Sequence, residues 1–200
     1  MKTEDRIAKL AGDRGRVTPT QLAHIVRRTS RLDAMVEWYQ TVLGAEVVHS
    51  DGMLAFLSYD EEHHRIAIAQ IPGLEDQPPF AAGTDHVAFT YADLGDLLHT
   101  FARLKDAGVE PFWCINHGPT TSLYYKDPDA NRVELQVDNF STAAETNRWM
   151  HSGEFAANPI GVVFDPEDLL ARYRAGEPFA TLVARPPLPA GTTPFEMLRF

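Results

Sequence analysis

His24 and His86 open two copies of one pattern, and this repeat constrains the fold more than any other feature of the chain. With His24 aligned on His86, Leu32 falls on Leu94, Met35 on Leu97, Val36 on Leu98, Tyr39 on Phe101, Val42 on Leu104 and Val47 on Val109, a constant offset of 62 residues. The middle positions are spaced three and four apart, as one apolar helix face requires, and each set follows a strand-like stretch that carries the histidine. Both helix starts have the look of a capping box, Ser30 with Asp33 and Asp93 with Asp96. After each helix comes β-like sequence: AEVVHS, GMLAFLSYD and HHRIAIAQI in the first copy, VEPFWCINH, TSLYYKD and NRVELQVD in the second. The connecting stretch PGLEDQPPFAAG is broken by proline and glycine.

The predicted fold is therefore α+β: two βαβββ modules, residues 21–72 and 83–138, paired edge to edge into a curled mixed sheet around a central cavity. Residues 1–20 form an N-terminal extension and residues 139–200 a C-terminal one. The second extension has Trp149, Met150 and Phe155 to bury, and its DPEDLLARYRAG has the acidic opening and glycine stop of a short helix. It is expected to cover the cavity mouth or a subunit face, and its apolar content points to a homo-oligomer.

A formal charge of −10, from 18 Lys and Arg against 28 Asp and Glu, sets the chain against nucleic acid and anionic lipid as partners. The single cysteine, Cys114, excludes an internal disulfide framework and suits a reducing cytoplasm. It reads as a small buried apolar group rather than a nucleophile. The opening MKTEDRIAKLAGDRG reads as neither a signal peptide nor a membrane span, so a cytoplasmic location is expected.

Side chains alternate across a strand, so His86 shares a face with Ala88 and Thr90 while Val87, Phe89 and Tyr91 face a helix. Glu134 likewise points away from Val133 and Leu135. The histidines sit at equivalent places in the repeat, and Glu134 lies on the last strand of the second copy. Two imidazoles and one carboxylate, His24, His86 and Glu134, are a donor set that leaves coordination positions open on a non-haem Fe(II) ion. His49, His99 and His151 have no repeat partner and read as surface or packing residues. Trp38 and Tyr39 read as core. Trp113, Phe112 and Phe80 suit either an aromatic pocket or plain packing.

The segment Ile115-Asn116-His117, a five-residue spacer GPTTS, Leu123-Tyr124, Asp127-Pro128 and Asn131-Arg132-Val133-Glu134 resembles the signature of the one-domain extradiol ring-cleavage dioxygenases, within the vicinal oxygen chelate superfamily. The resemblance covers residues 21–138, and NPIGVVFDPEDLL in the tail also looks like that of one-domain members. One departure is Ala130, where the family usually has Gly or Pro in the turn. His63-His64, just before RIAIA, matches the place where such enzymes carry an acid–base histidine. The match favours His64, and strand alternation would set His64 on one face with Ile66 and Ile68.

The resemblance implies a catechol-type substrate and O₂, opened next to the diol to a muconic semialdehyde, with Fe(II), or Mn(II) of similar ligand preference, as cofactor. In that scheme His64 shuttles a proton. His117 and Tyr124, expected to face each other across a hairpin, bind and polarise the substrate oxygens. Two alternatives remain at this level. An isomerase, epimerase or glyoxalase-like lyase of the superfamily would use a fourth ligand, for which Gln70 lies on the right strand, and a metal-free sequestering module would use only an aromatic cleft.

Overall fold

The computed structural model describes residues 15–78 and 81–199; Phe80 and residues 1–14 of the N-terminal extension lie outside the described residues. The first module runs β1 (Ile25–Thr29), α1 (Leu32–Leu43), β2 (Glu46–Ser50), β3 (Leu54–Ser58) and β4 (Ile66–Gln70). The second runs β5 (His86–Thr90), α2 (Leu94–Asp106), β6 (Trp113–Asn116), β7 (Thr120–Lys126) and β8 (Arg132–Asp138). Each is a βαβββ unit in which the first strand pairs in parallel with the last, β1 with β4 and β5 with β8, and the remaining pairs are antiparallel.

The expected edge-to-edge pairing of the modules is not what the structure shows. Among the described residues β1 and β5 are free edges, and the strands form two mixed sheets, β1-β4-β3-β2 and a five-stranded sheet in which β5, β8, β7 and β6 are followed by β9 (Val162–Val163). The modules are joined through their helices instead. Met35, Tyr39 and Val42 of α1 and Leu97, Phe101 and Leu104 of α2 are buried in one core with Leu57, Ile66, Leu123, Val133 and Leu135 from the strands. Burial of these apolar helix faces stabilises the joint. At the seam Arg103 Nη1 donates to Thr41 O at 2.5 Å, engaging a carbonyl that the end of α1 leaves without a helical partner.

A second joint is polar. Arg27 Nε on β1 donates to the Tyr39 hydroxyl at 3.1 Å, which in turn donates to Asp127 Oδ2 at 3.1 Å in the turn between β7 and β8. Asp127 also receives Asn131 Nδ2 and the backbone N–H groups of Asp129 and Asn131. That turn is completed by Ala130 with φ +62°, a left-handed conformation in which a Cβ is strained.

The capping boxes divide. Asp93 accepts from Asp96 N at the start of α2, as expected, but the first residue before α1 is Arg31 and no side chain of the α1 start caps it. Gln70, at the end of β4, acts as the cap instead. Its Oε1 accepts from Leu32 N at 2.9 Å and its Nε2 donates to Ser30 O at 3.0 Å. A neighbour across the sheet has replaced the local serine cap.

The C-terminal extension contributes α3 (Ala143–Met150), α4 (Gly153–Ala157), β9, α5 (Pro166–Arg174), α6 (Phe179–Leu182) and a 3₁₀ turn, Pro194–Met197. α5 starts at the Asp165 cap, and its Leu169 and Leu170 enter the shared core. Trp149 packs between Phe140 and Phe155, at 6.2 and 5.8 Å between ring centroids, whereas Met150, expected to be buried, is 42% exposed because its neighbour Trp149 claims the inward helix face. Among the described residues no helix is long and apolar enough to cross a membrane.

Candidate active site

The face of the five-stranded sheet that turns away from the helices collects the polar candidates. Cys114, Leu123, Tyr125, Val133 and Leu135 point into the core, so the alternate residues Trp113, Ser122, Tyr124 and Glu134 share the opposite face with His86. Tyr124 lies directly across from Trp113 on one side and from Glu134 on the other. His117 is therefore not its cross-strand partner. It sits beyond the end of β6 and reaches Tyr124 obliquely, its Nε2 3.1 Å from the hydroxyl.

His86 Nε2 lies 3.0 Å from Oε2 of Glu134, and its Nδ1 lies 2.7 Å from Oδ2 of Asp85, itself held by Arg132. The hydrogen bond to Glu134 is the main reason the His86 pKa is pushed up to about 9; partial burial opposes it and Asp85 adds to it. Glu134 is 4% exposed. Burial alone would raise its pKa, but hydrogen bonds from His86 and Ser122 and the charge of His86 leave the carboxyl below its usual range. Tyr124 is raised, first by burial and then by Glu134, and so stays a proton donor at neutral pH. Burial lowers His117 and keeps its ring neutral. Its Nδ1 is bonded to the Ile160 carbonyl of the extension.

The other candidates lie in the first module. His24 precedes β1 and is exposed, with its ring 4.4 Å from that of His64. His64 also stacks on Phe56 at 4.8 Å, and burial, then the charges of His24 and His63, lowers its pKa. The expected alternation with Ile66 and Ile68 is wrong: those residues are in the core, whereas β4 begins only at Ile66 and His64 lies with Phe56 on the opposite face. His63 has a 71% exposed side chain beside Glu62, so of the two histidines His64 is the one in ring contact with His24.

Two of the three expected metal donors thus face each other, and the third does not join them: among the described residues no group of three His, Cys, Asp or Glu side chains converges on one point. A cleft of 660 Å³ runs beside β1, bounded by Val26, Arg28, Asp76 and Asn131 rather than by these residues, since the sheets are not joined there. The chemistry of the pair nonetheless fits a divalent cation. A buried carboxylate needs positive charge beside it, and an imidazole whose second nitrogen is tied to a carboxylate is the usual supported metal ligand.

Sequence reasoning did not single out Asp85, Ser122 or the Ile160 carbonyl. Asp85 had a signal, since it directly precedes His86. Ser122 shares a face with Tyr124 by strand parity. The Ile160 contact comes from the loop just before β9, a strand too short to announce itself. Cys114 is buried, and burial pushes its thiol up to about 12, which makes it inert.

Comparison with known proteins bears on the whole arrangement. The family model described as Glyoxalase/Bleomycin resistance protein/Dioxygenase superfamily matches residues 21–135. Biphenyl-2,3-diol 1,2-dioxygenase 3 of Rhodococcus globerulus is 47% identical over 171 residues, 84% of this chain and 90% of that protein. Biphenyl-2,3-diol 1,2-dioxygenase 2 of the same organism is 50% identical over 159 residues, 79% of this chain and 84% of that protein. Among solved structures, a glyoxalase-like protein of Bacillus halodurans superposes with a TM-score of 0.51 at 17% identity, covering 59% of this chain and 96% of that one, a likeness of fold alone.

Proposed function

Because this chain belongs to the Glyoxalase/Bleomycin resistance protein/Dioxygenase superfamily, we propose that it is an extradiol dioxygenase, opening a catechol-type ring with both atoms of O₂ to give a muconic semialdehyde. The relatives point to an aryl-substituted catechol such as biphenyl-2,3-diol, the substrate in their names; opened between carbons 1 and 2, as those names state, that diol would give an aryl ketone in place of the semialdehyde. The observation that carries the reading is the connected cluster His86, Glu134, Tyr124 and His117 on one sheet face.

Relatives of this kind imply a catalytic metal, and the reading assigns it as Fe(II), with Mn(II) the nearest substitute. His86 and Glu134 would hold it, with His24 as third ligand from the first module. Bound there, the ion supplies acidification of the diol and activation of dioxygen. Everything else falls to the protein. His117 Nε2, a neutral acceptor, takes a hydrogen bond from one substrate hydroxyl and so fixes the ring's orientation. Tyr124, kept protonated, donates to the neighbouring oxygen as charge gathers on it. His64, with a pKa below the ordinary histidine value, accepts the second phenolic proton and returns it as the ring opens.

The four-ligand isomerase reading loses its extra donor, because both polar atoms of the Gln70 amide are engaged at the start of α1. Cytoplasmic location and self-association through the extension belong to the proposal, on the strength of the single cysteine and the apolar tail.

The test is anaerobic loading with Fe(II), followed by catechol or biphenyl-2,3-diol and air. A yellow ring-fission product with matching oxygen uptake is expected, and oxygen uptake without that product, or none, would overturn the reading. Alanine at His24, His86 and Glu134 together should abolish iron retention, measured by elemental analysis.

A further inference from the structure

The NPIG motif of the extension, residues 158–161, supplies no group to the ring-opening chemistry. Asn158 is 5% exposed, and its amide is fully committed to the loop it opens. Its Oδ1 accepts from the backbone N–H of Ile160 at 3.1 Å and of Gly161 at 2.9 Å, while its Nδ2 donates to Gly161 O at 2.9 Å. Gly161 has φ +123°, and a Cβ there would lie 2.5 Å from the Asn116 carbonyl oxygen, so the loop passes against the end of β6 as only glycine allows. β9 then pairs Val162 with Asn116 and Val163 with Ile115, which locks the far side of the loop.

Held this way, the loop turns the Ile160 carbonyl onto Nδ1 of His117. A carbonyl oxygen can only accept, so Nδ1 carries the proton of the neutral ring and Nε2 presents a lone pair toward Tyr124. We infer that Asn158 is a positioning residue for His117: by clamping the Ile160–Gly161 loop it fixes the Nδ1–H tautomer and keeps Nε2 an acceptor toward substrate. The inference rests on the ring-cleavage role proposed for His117. A substrate hydroxyl can donate to this ring only in that tautomer. In the other, Nε2–H could only donate, and that hydroxyl would lose its acceptor.

Long-range ¹H–¹⁵N NMR on the full chain labelled with ¹⁵N-histidine reads the tautomer directly, with His117 assigned by loss of its signals in His117→Asn. The wild-type ring is expected as Nδ1–H at neutral pH, and Asn158→Ala is expected to populate Nε2–H and lower kcat/KM by roughly 10- to 100-fold, the usual effect of losing a supporting hydrogen bond. Asn158→Asp keeps both acceptor contacts but turns an oxygen toward the Gly161 carbonyl, so it should restore the tautomer and activity only in part, still a rescue that general loosening would not show. Asn158→Ser, with one acceptor left, is read in the same way should the alanine protein fail to fold. A wild-type ring in the Nε2–H form, or an alanine variant that keeps Nδ1–H, would overturn the inference. Because the NMR measurement needs no turnover, a tautomer that follows Asn158 in a protein inert toward catechols would defeat the ring-cleavage reading and leave this positioning intact.

Discussion

Nε2 of His86 and Oε2 of Glu134 lie 3.0 Å apart, with Asp85 on the far ring nitrogen, so the imidazole is held between two carboxylates. A histidine whose pKa rises from 6.5 to about 9 on folding contributes stability that is complete below the unfolded value and lost as pH climbs through the folded one. The chelator-stripped protein should therefore lose stability between about pH 6.5 and pH 9. Glu134→Gln should flatten that limb in urea titrations run across the range. Equal slopes for the two proteins would contradict the pairing.

Ala130 sits at φ +62° in the turn that carries Asp127 and Asn131. Ala130→Gly should relieve the strain and raise unfolding free energy by roughly 1 kcal/mol, or about 2–4 °C in melting temperature for a chain of this size. Calorimetry of the two proteins decides it, and an unchanged or lower midpoint would mean that the turn is unstrained.

The buried Tyr39 hydroxyl links Arg27 of the first module to Asp127 of the second. Tyr39→Phe removes it, leaving Arg27 Nε without its acceptor and Asp127 Oδ2 with Asn131 alone, at a cost of about 1–3 kcal/mol. Chemical denaturation measures the loss. A neutral effect would show that water takes over the bridge.

Gln70→Ala should remove the cap on α1 and cost about 1 kcal/mol of stability while leaving iron content and turnover unchanged. Loss of iron on this substitution would restore the fourth-ligand assignment.

His64 touches His24 and Phe56 but not the His86–Glu134 pair. As a proton shuttle it should affect kcat far more than catechol affinity, so His64→Ala is expected to slow turnover by roughly 100-fold or more with little change in binding. Single-turnover kinetics with a separate binding titration distinguish this from equal loss of both.

Much of the scaffold was legible because repetition amplifies a weak signal. The offset that matched Leu32 to Leu94 also matched the first residues of α1 and α2. Parity along β8 put Glu134 opposite Val133 and Leu135 without any knowledge of its neighbours. What stayed hidden depended on how separate segments meet. No local pattern says that Gln70 rather than Ser30 starts α1, that the helices rather than β1 and β5 join the modules, or that a two-residue strand brings Ile160 to His117. His64 was misplaced for a related reason: alternation was extended past the point where the strand begins.

The common interior of α1 and α2 has one more implication. Each repeat fills part of the other's interior, so a gene cut within the linker is expected to yield two greasy fragments that precipitate when made separately and recover only when produced together.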